Sequence, residues 1–225
     1  MEFMAKIKFV MFDFDGTLVD TAPDLVAATN RLLVQHGHQA LAPEVIRKDI
    51  GTGLKTLIKD FFPEIQNDPL QEERLMENFL SLYKDEYLNS PQIFPGAEIF
   101  LKEQAPLLNL QTAIVSNKRE ELIHPILKRV GLDELPWVKV IGGNTFSTMK
   151  PDPQPLLEAI NAAGVSPQET VLVGDGIPDI MGAAAVGCLS IAVSFGYAPI
   201  DQLMGLGAHA RIDHYEELSA LLSLL

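Results

Sequence analysis

Short apolar runs recur along the chain, and each is followed by small or polar residues. Five of these runs are rich in β-branched residues and have the length of a buried strand. They span residues 7–12, 112–116, 138–141, 171–174 and 190–194. Apolar residues recur at helical spacing in residues 119–130 and 153–163, and each of these stretches ends at a glycine. Strands that alternate with helices predict an α/β fold with a parallel sheet covered by helices on both faces.

One long stretch of the chain lacks any strand pattern. Residues 23–89 carry only helical patterns. These patterns span residues 25–35, 54–62 and 70–88. An all-helical block between the first and second strands predicts an insert that forms its own small domain. We therefore expect a core domain formed by residues 1–20 and 92–225, and a helical domain formed by residues 21–91.

Composition and charge restrict the partners and the location of the protein. Apolar residues make up 47% of the 225 residues and charged residues 21%, as is typical of a globular protein. The net charge of -13 repels polyanions, so neither nucleic acid nor a membrane surface is an expected partner. The single cysteine, Cys188, cannot form an internal disulfide, and no segment resembles a signal peptide or a membrane span. We expect a cytoplasmic protein, and the sequence does not indicate its oligomeric state.

Two carboxylates follow the first predicted strand, in the run Phe12-Asp13-Phe14-Asp15-Gly16-Thr17. Ligands of parallel sheets bind beyond the carboxyl ends of the strands, and period-two alternation directs Asp13 and Asp15 to the same side. Crowded carboxylates repel each other unless a cation or a shared proton compensates. Gly16 allows a sharp turn and a close approach to a ligand. The alternative is that these acids are solvated loop residues or helix caps.

A later strand also ends in acidic residues. Residues 171–174 lead into Asp175 and Asp179. We expect Asp175 at the same sheet edge as Asp13, where a third oxygen ligand would suit an octahedral Mg²⁺ site. Asp179 could orient water or a neighbouring group around that site, or it could simply lie in the first turn of the following helix.

Two further segments carry groups suited to an anion. The strand 112–116 ends in Ser116-Asn117-Lys118, where a hydroxyl and backbone N–H groups could hold phosphate oxygens. Ser116 is equally well suited to be the N-cap of the next helix. Lys150, held by two nearby prolines, could neutralise a phosphate and the carboxylates, and a surface position is the alternative.

These four segments, in this order, resemble the haloacid dehalogenase superfamily of phosphohydrolases over essentially the whole chain. The resemblance implies a Rossmann-like core with a helical cap domain inserted after the first strand. It implies that Asp13 is the nucleophile, which forms an aspartyl-phosphate, and that Asp15 is the general acid and then the base. Mg²⁺ would be held by Asp13, the carbonyl of Asp15 and Asp175.

The resemblance also implies the groups that surround this centre. Ser116, Asn117 and Lys150 would bind the phosphoryl group that is transferred, with Asp179 and Thr17 supporting the metal and its ligands. One departure is Gly176, since many relatives have serine or threonine there. Its position contributes no side chain to the site.

Three other segments resemble one group within the superfamily, the phosphoglycolate phosphatases. These segments are the run from Val19 to Leu25, Pro95-Gly96 and Phe195-Gly196-Tyr197. The resemblance implies that the substrate is a small phosphorylated metabolite, and N-acetylmuramate 6-phosphate phosphatases are similar enough to remain an alternative. A β-phosphoglucomutase-like phosphomutase is disfavoured, because such enzymes carry a small apolar residue in place of Thr17 and a histidine in place of Leu25.

Substrate choice is expected to depend on the helical domain. Gly51, Thr52 and Gly53, with Lys55 and Arg47, could form a loop that closes over the leaving group of the substrate. A plain turn between two helices is the alternative.

Overall fold

A computed structural model of the chain describes residues 6–50, 54–65 and 68–225. Its strands are β1 (Phe9–Phe12), β2 (Val19–Asp20), β3 (Gln92–Ile93), β4 (Gln111–Val115), β5 (Val140–Ile141), β6 (Thr170–Gly174), β7 (Leu189–Val193) and β8 (Ala210–Ile212). Six of them form one parallel sheet in the order β5-β4-β1-β6-β7-β8. The other two, β2 and β3, pair with each other in antiparallel orientation.

Helices account for most of the rest of the described chain. They are α1 (Ala22–Gln35), α2 (Pro43–Arg47), α3 (Leu54–Phe61), α4 (Pro69–Glu86), α5 (Ala97–Ile99), α6 (Ala105–Leu107), α7 (Glu120–Val130), α8 (Gln154–Ala163), α9 (Ile177–Val186), α10 (Ile200–Gly205) and α11 (Leu218–Leu222). A π-helical turn, Phe100–Gln104, joins α5 to α6. Short 3₁₀ turns occur at Pro63–Ile65, Pro167–Glu169 and Tyr215–Glu217.

The central strand β1 is buried on both faces of the sheet. Val10 and Phe12 belong to one apolar cluster, and Phe9 and Met11 belong to another on the opposite face. This arrangement explains why the predicted strands were uniformly apolar rather than alternating. The predicted α/β fold, with a parallel sheet flanked by helices, is confirmed.

The register of the sheet brings the ends of three strands to the same edge. Phe12 at the end of β1 pairs with Ile114 of β4 and with Val173 of β6. The residues that follow these strands therefore emerge side by side, and they include Asp13 and Asp175.

Helices α1 to α4 form the block that was predicted to be an insert. Helices α1 and α4 pack against each other, and the block has its own apolar cluster, which includes Leu32, Phe62 and Phe79. Leu122 of α7 and Tyr197 join that cluster from outside the block, so it packs on the core. The division of the chain at residues 21 and 91 stays a prediction.

Several short elements were not predicted. The β2 and β3 pair, through which the chain enters and leaves the helical block, has two residues in each strand, too few to show a period. Strand β8 has three residues, of which only Ile212 is buried. Among the described residues, no helix combines the length and apolar character that crossing a membrane requires.

Candidate active site

Three carboxylates meet beyond the ends of β1 and β6. Asp13 follows β1, Asp175 follows β6, and Asp179 lies in the first turn of α9. Each offers an oxygen within 4.8 Å of the others, and all three side chains are buried. The acids after β1 and β6 are therefore not solvated loop residues. Their convergence concentrates negative charge that a cation or bound protons must compensate.

Lys150 supplies part of that positive charge. Its ammonium nitrogen lies 3.1 Å from Asp13 Oδ1 and 2.5 Å from Asp179 Oδ1, and its side chain is 1% exposed. The alternative of a surface lysine is therefore wrong. Burial disfavours the charged ammonium, but the charges of Asp13 and Asp179 outweigh it and raise the pKa of Lys150. The lysine is held in its charged form beside Asp13.

Asp175 is fixed by two hydrogen bonds. The hydroxyl of Thr17 donates to its Oδ1 at 2.8 Å, and the backbone N–H of Tyr197 donates to its Oδ2 at 2.8 Å. Burial, followed by repulsion from Asp13 and Asp179, raises the pKa of Asp175 well above its ordinary value. Burial also raises the pKa of Asp179, to about 6. This set of hard oxygen donors, which carries more charge than Lys150 can balance, fits Mg²⁺.

The position of Asp179 fits both roles considered for it, a residue in the first turn of the following helix and a group that orients its neighbours. Its Oδ2 accepts a hydrogen bond from the backbone N–H of Gly176 at 2.9 Å, as an acid in the first helical turn does. Its Oδ1 accepts from Lys150 at 2.5 Å. Asp179 therefore caps α9 and also orients the lysine that contacts Asp13. The lack of a side chain at Gly176 does not affect this hydrogen bond, because the donor is the backbone N–H of that residue.

Ser116 and Asn117 lie at the end of β4, beside the carboxylates. Ser116 Oγ accepts from the backbone N–H of Lys118 at 3.3 Å, and the N-cap of α7 is Arg119, so the alternative of Ser116 as the N-cap is wrong. The amide nitrogen of Asn117 donates to the carbonyl of Lys150 at 3.0 Å. This bond ties the segment after β4 to the segment that carries the lysine.

Asp15 lies between the core and the helical block. The hydroxyl of Thr21 donates to its Oδ1 at 2.5 Å. The ammonium of Lys118 lies 3.1 and 3.2 Å from its two carboxylate oxygens. The same ammonium donates to the hydroxyl of Tyr83 at 2.8 Å and lies 4.8 Å from the centre of that ring. Asp15 is thus held by the hydroxyl of Thr21, just before α1, and by the ammonium of Lys118, which in turn contacts α4.

Sequence reasoning missed Lys118 as a site residue. It was quoted only as the residue after Ser116-Asn117, and a lysine next to a helix start is usually on the surface. Its side chain is in fact 4% exposed. The contacts that bury it come from Asp15 and Tyr83, which are far away in sequence, so only its adjacency to the predicted anion site was available as a signal.

Tyr197 belongs to the segment Phe195-Gly196-Tyr197 singled out in the sequence. It links the buried carboxylates to the helical block. Its backbone N–H contacts Asp175, as described above. Its hydroxyl accepts from the backbone N–H groups of Thr21 and Ala22 at 3.0 and 3.1 Å and donates to Asp20 at 2.9 Å. Arg47 of α2 pairs with the other oxygen of Asp20 at 3.1 Å. The start of α1 is therefore anchored beside the carboxylates.

A cavity separates the edge of the sheet that carries the carboxylates from the helical block. It is lined by Asp13, Asp15 and Ser116 on the core side and by α1, α3 and α4 on the other. Of the segment predicted to close over a ligand, Gly51, Thr52, Gly53 and the side chain of Lys55 lie outside the described residues.

Substitution of Gly16 by alanine tests how tightly the carboxylates are packed. Gly16 has a φ of 81°, and an added Cβ would lie 2.7 Å from the Asp175 carboxyl carbon. Gly37 also has a φ of 81° but has nothing within 4 Å of such a Cβ, so Gly37→Ala is a matched control. We expect Gly37→Ala to lower the free energy of unfolding by about 1–2 kcal/mol, the cost of a left-handed residue.

Gly16→Ala should lower the free energy of unfolding by several kcal/mol, since Asp175 must also move. Urea titration of both variants measures the difference. Equal losses would show that Asp175 is not held against Gly16.

Several known proteins are similar to this chain over nearly its whole length. The haloacid dehalogenase-like hydrolase family matches residues 10–193 of the chain. The phosphoglycolate phosphatase of Chromobacterium violaceum is 33% identical over 222 residues, which cover 97% of this chain and 98% of that protein. The protein named "Phosphoglycolate phosphatase, plasmid" from Cupriavidus necator is 36% identical over 218 residues, with coverage of 95% and 92%. The crystal structure of a hydrolase from Pseudomonas syringae covers 98% of this chain and 99% of its own, with 27% identity and a TM-score of 0.82.

Proposed function

The chain belongs to the haloacid dehalogenase-like hydrolase family, and from that premise we propose that it is a phosphatase of the phosphoglycolate phosphatase type. Its substrate is a small phosphomonoester of the cytoplasm, and the reaction passes through an aspartyl-phosphate. The observation that carries the proposal is the meeting of Asp13, Asp175 and Asp179 with Lys150 at one sheet edge.

The first step is attack by Asp13 on phosphorus. A carboxylate is a weak nucleophile toward a dianionic phosphate unless nearby positive charge neutralises both groups. Lys150, 3.1 Å from Asp13, provides one such charge and stays protonated because of its raised pKa. Ser116 and Asn117, at the end of β4, bind the phosphate oxygens with neutral groups, so they add no charge to the site. The P–O bond to the leaving group breaks as the bond to Asp13 forms.

Asp15 handles the proton in both steps. As the ester bond breaks, its carboxyl donates a proton to the departing oxygen. The resulting carboxylate then takes a proton from the water that attacks the phosphorus of the aspartyl-phosphate, which releases phosphate and regenerates Asp13. Thr21 and Lys118 hold this carboxyl group in one orientation, which favours a proton transfer that depends on distance and angle.

Mg²⁺ would be held by Asp13, Asp175 and the backbone carbonyl of Asp15, and when bound it neutralises charge on the transferring phosphoryl group. Thr17 and Tyr197 keep Asp175 oriented for that role. Asp179 keeps Lys150 beside Asp13. Chelation of divalent ions should therefore abolish hydrolysis.

The stabilisation of the protein by Mg²⁺ should depend on pH. A carboxyl group whose folded pKa is raised binds more protons in the folded than in the unfolded state between the two values. For Asp179 that window runs from about 4 to about 6, and without metal the stability falls as the pH rises through it. Asp175, the proposed ligand, also has a pKa raised well above its ordinary value, so its proton must leave before the metal binds. The rise in Tm on adding Mg²⁺ should therefore be larger at about pH 7.5 than at about pH 5.5.

Scanning fluorimetry with and without MgCl₂ at the two pH values measures this effect. A parallel assay with phosphoglycolate, sugar phosphates, N-acetylmuramate 6-phosphate and nucleoside monophosphates tests the activity and its substrate. Full hydrolysis in the presence of a chelator, together with no Tm change at either pH, would overturn the magnesium assignment. Failure to hydrolyse any phosphomonoester would overturn the function.

A further inference from the structure

The cavity between the core and the helical block is where the leaving group of a phosphomonoester must lie, since Asp15 lines it. Apart from the residues of the sheet edge, its described lining is mainly aliphatic and aromatic. The apolar residues are Leu25, Ile50, Leu57, Phe79, Leu80 and Leu122. These apolar side chains exclude water and offer no hydrogen bond to a polar leaving group. Beyond the sheet edge, the polar residues of the lining are Asp49, Tyr83, Lys118 and Arg119.

Lys118 lines this cavity. Its ammonium contacts Asp15 on the core side and the hydroxyl of Tyr83 on α4 of the helical block. An ammonium that is 4% exposed costs several kcal/mol in lost hydration, and two nearby partners only partly offset that cost. The burial of a cation at this cost indicates that Lys118 has a functional role.

The other cations near the site are engaged elsewhere. Lys150 contacts Asp13 and Asp179, on the side of the phosphoryl group. Arg119 lines the cavity, but its guanidinium lies 2.5 Å from Glu121 and its side chain is 38% exposed. Among the described residues of the lining, Lys118 is therefore the buried cation on the side of the leaving group.

The position of Lys118 next to Asp15 indicates which group of the substrate its ammonium can bind. In the proposed reaction, Asp15 contacts the ester oxygen of the substrate, so a group one or two bonds beyond that oxygen comes next to the ammonium. A carboxylate at this place would gain a charge-assisted hydrogen bond that is sheltered from water by the apolar side chains of the lining. A neutral hydroxyl would gain much less.

We propose that Lys118 is a specificity-determining residue, whose ammonium binds a carboxylate carried by the leaving group next to the ester oxygen. This inference rests on the proposed phosphatase function and narrows its substrates to phosphomonoesters of small hydroxy acids. Tyr83 contributes by holding the ammonium from the side of the helical block.

The test compares two substrates that differ in one group. Phosphoglycolate carries the carboxylate, and 2-hydroxyethyl phosphate carries a neutral hydroxymethyl group in its place. The measured quantity is the ratio of their kcat/KM values, in which any general effect of a substitution on Asp15 largely cancels. The variants are Lys118→Met, which keeps the length of the side chain without its charge, and Lys118→Arg, which keeps the charge.

We expect wild type to prefer phosphoglycolate and Lys118→Met to lose about 10- to 100-fold of that preference, mostly through KM for phosphoglycolate. Lys118→Arg should keep part of it. Arg119→Gln should leave the ratio nearly unchanged, because Arg119 pairs with Glu121, and circular dichroism checks that each variant folds.

An unchanged ratio in Lys118→Met, with measurable hydrolysis of both esters, would overturn the assignment of Lys118 and leave the phosphatase function standing. The same holds if Arg119→Gln removes the preference instead. Absence of hydrolysis of both esters and of p-nitrophenyl phosphate by the wild type would instead mean that the function itself is wrong.

Discussion

Replacement of Asp13 by asparagine should abolish hydrolysis of p-nitrophenyl phosphate, with a loss in kcat of about 10⁴-fold or more. The amide has nearly the size of the carboxylate but has no negative oxygen with which to attack phosphorus, so the aspartyl-phosphate cannot form. The remaining groups at the sheet edge position the ester without providing a path to cleavage.

The Asp13→Asn protein should still fold. The substitution removes one of the charges that repel Asp175, and Lys150 keeps its contact with Asp179 at 2.5 Å. A matched control is Asp201→Asn, the same change at an exposed position in α10, which should have wild-type activity. Full activity of Asp13→Asn, in a protein whose far-ultraviolet circular dichroism is unaltered, would refute the role of Asp13.

Replacement of Asp15 by asparagine should lower kcat by about 10²- to 10⁴-fold, and the loss should depend on the leaving group. An alkyl ester such as phosphoglycolate expels a strongly basic alkoxide, which needs the proton from Asp15. The p-nitrophenolate ion leaves without one. The first step should therefore slow much more for phosphoglycolate than for p-nitrophenyl phosphate.

With p-nitrophenyl phosphate, the second step should become limiting in Asp15→Asn, because no carboxylate activates the water. Rapid mixing should then show a burst of p-nitrophenolate, close to one equivalent per enzyme, followed by a slow steady state. Equal losses for both esters and no burst would show that Asp15 does not act as the acid and the base.

The sheet and the residues at its edge were predictable from local features of the sequence. A strand buried on both faces requires an uninterrupted apolar run, and the parallel arrangement follows from the alternation with helices. Asp13 and Asp175 could then be placed together, because parallel strands end at a common edge. Neither inference needed knowledge of a distant contact.

The features that were missed depend on tertiary contacts or on very short elements. Lys118 is buried only because Asp15 and Tyr83 surround it, and these residues lie 103 and 35 positions away. The hydroxyl of Tyr197 contacts the start of α1, more than 170 positions away. The two-residue strands β2 and β3 carry no periodic signal at all. Such contacts follow from packing, which a local pattern does not encode.

The function proposed for this protein depends on a covalent bond between Asp13 and phosphorus. The most direct test is to mix Asp15→Asn protein with Mg²⁺ and p-nitrophenyl phosphate, quench the reaction in acid, and identify phosphorylated peptides by mass spectrometry. We expect one phosphoryl group on the peptide that contains Asp13, and none after the further change Asp13→Asn. A phosphoryl group on a different residue, or an unmodified protein throughout a reaction that still releases phosphate, would contradict the account.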